Sequence, residues 1–153
     1  MDLILWRHAE AFEMREVQDD LDRALTPKGE RQAQRMASWL NRQLPSTARV
    51  LVSPARRAQQ TAAALDRKLR TVPELAPDGS VDALFSAARW PDAREPVLVV
   101  GHQPTLGLAA AWLLAGQTEP WSVRKAGVWC LRGRERVGRL QVVLQAMLSP
   151  ELL

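Results

Sequence analysis

The chain has 153 residues, 46% of them hydrophobic and 25% charged, with a formal net charge of +4 and a single cysteine. That length suits one domain, 1–153, with a real core, and the lone Cys130 excludes an internal disulfide and a multi-cysteine metal site. The basic balance favours anionic partners and leaves phosphate esters and nucleic acid both open.

Taken in order, Leu3-Ile4-Leu5-Trp6 reads as a short strand buried on both faces, and it ends on Arg7, His8 and Glu10. Ala11 to Ala24 is rich in Glu, Asp and Arg and reads as a loop or a frayed helical turn. Thr26-Pro27 opens a helix, threonine at the N-cap and proline at the first helical position. Ala33, Met36, Ala37, Leu40 and Leu44 form its inward stripe, and Pro45 ends it. Val50-Leu51-Val52 is a second buried strand. Ser53-Pro54 repeats the cap signal, and the helix after it carries Ala58, Ala62, Leu65 and Leu69 inward.

Thr71 to Leu75 reads as a third short strand, closed by the turn Pro77-Asp78-Gly79. Ser80 caps a short helix with Val81, Leu84, Phe85 and Ala88 inward, and Pro91 to Pro96 is linker. Val97 to Val100 is the next strand and runs into Gly101-His102; a helix follows from Pro104 to Ala115, with Gly116 as its C-terminal cap. Gly127 to Leu131 and Leu140 to Ala146 are two closing strands, with Gly133 to Gly138 their hairpin loop. Strands alternating with helices and a final hairpin predict a mostly parallel mixed sheet between helix layers, a three-layer α/β/α sandwich.

In such sheets ligands sit at the carboxyl ends of the strands. Arg7 and His8 follow the first strand, Arg56 and Arg57 the second, and His102 the strand at Val97 to Val100. Arginine forks match phosphate oxygens, and a neutral imidazole is a nucleophile. The arrangement predicts a phosphoryl pocket. Arg56 and Arg57 lie about 100° apart around a helix, so only one of them points fully inward. The two histidines supply no metal-ligand pattern, so no metal and no cofactor is expected.

Leu5-Trp6-Arg7-His8-Ala9-Glu10 resembles the arginine–histidine signature that opens the histidine phosphatase (phosphoglycerate mutase-like) superfamily. Ser53-Pro54-Ala55-Arg56-Arg57-Ala58-Gln59-Gln60-Thr61 resembles its second motif and Val99-Val100-Gly101-His102 its third. With Asp22 to Gly29 added, the resemblance runs from residue 3 to about residue 131, and it is strongest to the small phosphohistidine phosphatases of the SixA type.

The resemblance implies roles. His8 would be the nucleophile and carry a transient phosphoryl group; Arg7 and Arg57 would clamp the oxygens, and His102 would donate to them. Backbone N–H groups near Gln103 would add to the cradle. The chain departs from many superfamily members at Ala9 and Ala11, where glycine and a hydroxyl residue are usual. It is also too short between Arg57 and His102 for the insertion that roofs larger relatives and supplies their acid. Glu10, Asp19, Asp22 and Asp78 are the candidate proton donors, and none is singled out.

An unroofed pocket admits a phosphorylated side chain on a protein surface, and imidazole is an easier leaving group than an alkoxide. The expected activity is therefore a metal-independent protein phosphohistidine phosphatase in signal transduction. Its expected partner is a phosphorylated histidine-containing protein, a phosphotransfer domain or a phosphocarrier. The alternatives are a phosphatase for small phosphomonoesters on the same fold, and a non-catalytic phosphoprotein-binding module. A mutase ranks below these because nothing builds its lid. A nucleic-acid binder ranks last, because no basic run is interleaved with aromatics. With no basic flank before the first apolar run and none long enough for a membrane span, the chain is expected to be a cytoplasmic monomer. Of the tryptophans, Trp6 is expected below the pocket floor, Trp39 and Trp112 near helical core stripes, and Trp90 and Trp121 are candidates for the pocket rim.

Overall fold

The computed structural model describes residues 1–15 and 18–153. Its six-stranded sheet has the order β3-β2-β4-β1-β5-β6, with β1 at Asp2–Arg7, β2 at Arg49–Val52, β3 at Arg70–Thr71, β4 at Val97–Gly101, β5 at Val128–Arg136 and β6 at Arg139–Leu148. The first four run parallel; β5 is antiparallel to β1 and β6 to β5.

Why both faces are covered is visible in the side-chain alternation of β1, β2 and β4. Leu3, Leu5, Leu51, Val97 and Val99 pack on one face against Leu84 and Ala88 of α3 (Val81–Ala88) and Leu106, Ala109 and Ala110 of α4 (Thr105–Ala115). Ile4, Trp6, Val50, Val52, Leu98 and Val100 pack on the other against Met36, Ala37 and Leu40 of α1 (Pro27–Gln43) and Ala58 and Ala62 of α2 (Arg56–Ala63). Two cores on a mixed sheet make the three-layer α/β/α sandwich. Strands this apolar on both faces suit only a central position.

The α1 cap forms as expected, with the Thr26 hydroxyl accepting from the Gly29 N–H at 3.0 Å. Ser80 caps α3 in the same way, and Gly116 takes the left-handed conformation after α4. Four expectations need correction. Thr71 to Leu75 is not a strand: pairing stops at Thr71, and Pro73–Leu75 forms a 3-10 turn because Pro73 cannot donate to the ladder. The helix after Ser53-Pro54 starts at Arg56 with Ala55 at its N-cap, so Ser53 caps nothing, and it ends at Ala63, before Leu65 and Leu69. The closing hairpin is longer than its apolar residues suggested, because β5 and β6 stay paired out to a two-residue turn at Val137-Gly138, both at positive φ. Trp112 is half exposed rather than core.

Among the described residues no helix is long and apolar enough to cross a membrane.

Candidate active site

The carboxyl ends of β1 and β4 adjoin, so Arg7 pairs across the sheet with Gly101. The His8 N–H donates to the Gly101 carbonyl at 3.1 Å, and the Ala126 N–H donates to the His8 carbonyl at 3.1 Å. His8 is therefore fixed by backbone on both sides. Its ring lies 5.1 Å from that of His102, centroid to centroid. Arg57, on the first turn of α2, is 3% exposed, whereas Arg56 is exposed, so only one of the pair faces inward, and it is the one the motif resemblance picks. Arg7, His8, Arg57 and His102 thus come together at one end of the sheet, and the charges of both arginines reach both imidazoles.

Hydrogen bonds assign the tautomers. His8 Nδ1 lies 2.8 Å from the Ala9 carbonyl oxygen, which only accepts, so Nδ1 carries the proton and Nε2 the lone pair. His102 Nε2 lies 2.7 Å from Ser53 Oγ. Ser53 is fully buried, and its oxygen already accepts the Ala55 N–H at 3.2 Å. Its own proton has no other acceptor among the described residues, so it goes to Nε2 and leaves Nδ1–H on His102. Burial is the largest cause holding the His8 imidazole down to about 3, opposed by the Ala9 carbonyl and helped by His102, Arg57 and Arg7. Burial likewise holds His102 down to about 4, with Arg57 the next cause. Both rings are neutral at physiological pH.

Three buried donors in this cluster have no hydrogen-bond partner among the described residues: Arg7 Nε, Arg57 Nε and His102 Nδ1. Buried donors are normally satisfied, so three unsatisfied ones clustered with a neutral imidazole can together receive the oxygens of an anion. The arginines are otherwise tethered. Arg7 Nη1 donates to the Val123 carbonyl at 2.9 Å, and Arg57 Nη1 to the Asp20 carbonyl at 2.7 Å.

Sequence reasoning missed three supporting residues. Ser53 was read as a cap and instead holds His102. Thr61, fully buried, accepts the Ala9 N–H at 3.0 Å and donates to the Arg57 carbonyl at 2.7 Å, tying the β1 end to α2. Asp20 bonds Arg57 across 37 residues of sequence, a separation no local pattern signals. Of the four acid candidates, Glu10 accepts from the Thr26 hydroxyl at 2.7 Å and Asp19 from the Leu21 N–H at 3.0 Å, both local structural bonds. Asp78 sits in a turn at positive φ, and Asp22 ends a 3-10 helix. Trp6 is buried as expected, its Nε1–H donating to the Ala126 carbonyl at 3.0 Å. Trp90 and Trp121 are partly buried and pack against the core that includes α3 and α4.

Residues 3–78 match the histidine phosphatase superfamily (branch 1). The chain is 34% identical over 128 residues to the phosphohistidine phosphatase SixA of Escherichia coli, covering 78% of each. It belongs to the histidine phosphatase superfamily. The chain is also similar to an uncharacterised protein of Picosynechococcus, 37% identical over 142 residues with 86% of this chain and 85% of that one covered. The structure of the protein histidine phosphatase SixA complexed with tungstate superposes with a TM-score of 0.77 at 28% identity, 99% of each chain covered. A phosphoserine phosphatase of Entamoeba histolytica, at a TM-score of 0.71 and 18% identity over 99% of this chain and 98% of that one, shares the fold.

Proposed function

We propose that this protein hydrolyses phosphohistidine on a partner protein by way of a phosphoryl group carried transiently on His8. The observation that carries the reading is the His8 tautomer. With Nδ1 anchored on the Ala9 carbonyl, the free lone pair sits on Nε2, beside three unsatisfied donors. In the first step that lone pair attacks phosphorus, and the bond from phosphorus to the substrate imidazole breaks. The imidazole leaves neutral, having taken a proton from solvent on its other ring nitrogen. In the second step water attacks phosphorus, the bond to His8 Nε2 breaks, and inorganic phosphate departs with the water's oxygen. The proton lost by that water passes to solvent.

Arg7 and Arg57 present guanidinium N–H groups, and His102 its Nδ1–H, to the phosphoryl oxygens. Such donors act where charge spreads over the oxygens in transfer. They need no reorganisation when the transition state forms, because backbone carbonyls and Ser53 already hold them. In this reading the two guanidinium groups do the neutralising, His102 adds a hydrogen bond, and the reaction needs no metal, so activity survives a chelator.

A phosphohistidine substrate is supported by the likeness to SixA, whose name states that activity. It also fits a site without an assigned proton donor, since protonated imidazole is a good leaving group. The second reading, small phosphomonoesters, is favoured by the donor set itself, which recognises the phosphoryl group and makes no demand on what leaves. Rates on a phosphohistidine protein and on a panel of alkyl phosphates separate the two. The proposal expects turnover of phosphohistidine to be the faster and to vanish in His8→Ala. Equal rates for wild type and variant would refute it, and faster alkyl phosphate turnover would favour the second reading.

A further inference from the structure

We infer that Asp20 is the positioning residue for Arg57, turning its guanidinium so that the Nε side, rather than the Nη end, meets the phosphoryl group. The inference rests on the reading of the site as a phosphoryl pocket and names a residue that reading did not need.

A guanidinium offers an end edge, formed by Nη1 and Nη2, and a side edge that includes Nε. Asp20 takes the whole end edge of Arg57: Nη1 donates to its backbone carbonyl at 2.7 Å and Nη2 to its carboxylate Oδ2 at 3.1 Å. The remaining side edge carries the buried Nε, which has no partner among the described residues. Arg7 repeats the arrangement, with Nη1 held by the Val123 carbonyl and Nε unsatisfied. The two arginines are thus each tied by an Nη group and leave Nε free, a geometry suited to a bidentate grip on oxygens from the side.

Asp20 is itself fixed. Its other carboxylate oxygen accepts from Arg23 Nε at 3.0 Å, and Arg23 Nη1 donates to the Phe12 carbonyl at 2.9 Å. The short helix Asp20–Asp22 is capped by Asp19, and the Phe12 N–H donates to the Ala24 carbonyl at 2.9 Å. Freezing a long side chain costs rotamer entropy; here folding bears that cost, so binding does not. Burial alone would raise the Asp20 carboxyl, but hydrogen bonds and charge from Arg57 and Arg23 hold it below the usual range. It is an ionised acceptor and not a proton donor. Its charge also stands near the incoming anion, so its value lies in geometry.

The test is calorimetric binding of tungstate, with steady-state kinetics, on wild type, Asp20→Ala, Asp20→Asn, Arg57→Ala and the double variant Asp20→Ala/Arg57→Ala. A charge-assisted hydrogen bond lost from the clamp predicts tungstate affinity down about tenfold in Asp20→Ala, with KM raised more than kcat falls. Asp20→Asn keeps an acceptor oxygen and stays within about threefold of wild type. In the Arg57→Ala background, Asp20→Ala costs nothing further, because its effect passes through Arg57. Wild-type affinity in Asp20→Ala, or an equal loss in both backgrounds, would overturn the inference while leaving the pocket intact. Failure of wild type itself to bind tungstate would overturn the pocket, and this role with it. Thermal unfolding of Asp20→Ala and Asp20→Asn separates a folding defect from a positioning one.

Discussion

Ser53 Oγ sits 2.7 Å from His102 Nε2 at the bottom of the site, where neither residue is more than 4% exposed. This contact turns His102 into a donor at Nδ1, since a neutral imidazole that accepts at one nitrogen carries its proton at the other.

Ser53→Ala therefore loses the tautomer control while leaving the His8 surroundings in place. Removing one buried hydrogen-bond partner destabilises the fold by about 1–3 kcal/mol. The same change is expected to lower kcat by about tenfold, in line with a weakened donor to the transferring group. Denaturant unfolding and steady-state kinetics on the variant check both numbers.

The two histidines are the only ones in the chain, so imidazole NMR resolves the site directly. An unfolded histidine takes up its proton near pH 6.5, whereas burial keeps His8 neutral to about 3 and His102 to about 4. Between those limits the unfolded chain binds more protons than the folded one. Stability is thus fully present above pH 6.5 and falls as the pH drops toward 4. The slope is up to about 1.4 kcal/mol per pH unit for each ring. Neither imidazole should titrate near 6.5, and His102→Ala should lose less stability than wild type between pH 7 and pH 5.

Gly29 lies where a Cβ would run into the Glu10 carbonyl, two residues beyond His8. The start of α1 cradles that stretch: the Glu10 carbonyl accepts the Thr26 N–H at 3.0 Å, and the Gln32 side chain accepts the Glu10 N–H at 3.0 Å. Alanine favours helices over glycine by about 1 kcal/mol, but forced overpacking costs about 1–3 kcal/mol. Gly29→Ala is therefore expected to be destabilising on balance, and to lower kcat by shifting Ala9 and Glu10. Thermal melts beside kinetics read both effects.

Cys130 lies in β5, partly buried, with its thiol pushed up to about 11, mainly by burial and secondarily by the Asp2 charge. So little thiolate exists at pH 8 that alkylation of the folded protein should be slow and leave activity intact. Fast labelling would show that β5 opens.

Much of this arrangement is legible in the sequence because it is local. Apolar runs ending in Arg7-His8 and Gly101-His102 place the two imidazoles at strand ends, and the roughly 100° between Arg56 and Arg57 around a helix lets only one of them face inward. Thr26-Pro27 and Ser80 act as the caps they resemble. Ser53-Pro54 misleads because a serine at a strand end suits a cap and a buried side-chain contact equally, and only His102, 49 residues away, decides between them. Asp20 is illegible for the same reason. The helix α4 is apolar all round, so periodicity could not say that Trp112 faces outward. The arginine-rich end of β5 hides its pairing because it projects past the core and shows no apolar alternation.

The central claim is that His8 accepts the phosphoryl group. Mixing the protein with a phosphohistidine donor, quenching within the first turnover at alkaline pH and mapping the peptides by mass spectrometry tests it most directly. The account predicts one phosphoryl group on His8, in amounts that decay as phosphate appears, and none in His8→Ala. Phosphate released in a burst-free reaction with His8 never modified, or undiminished turnover by His8→Ala, would contradict it.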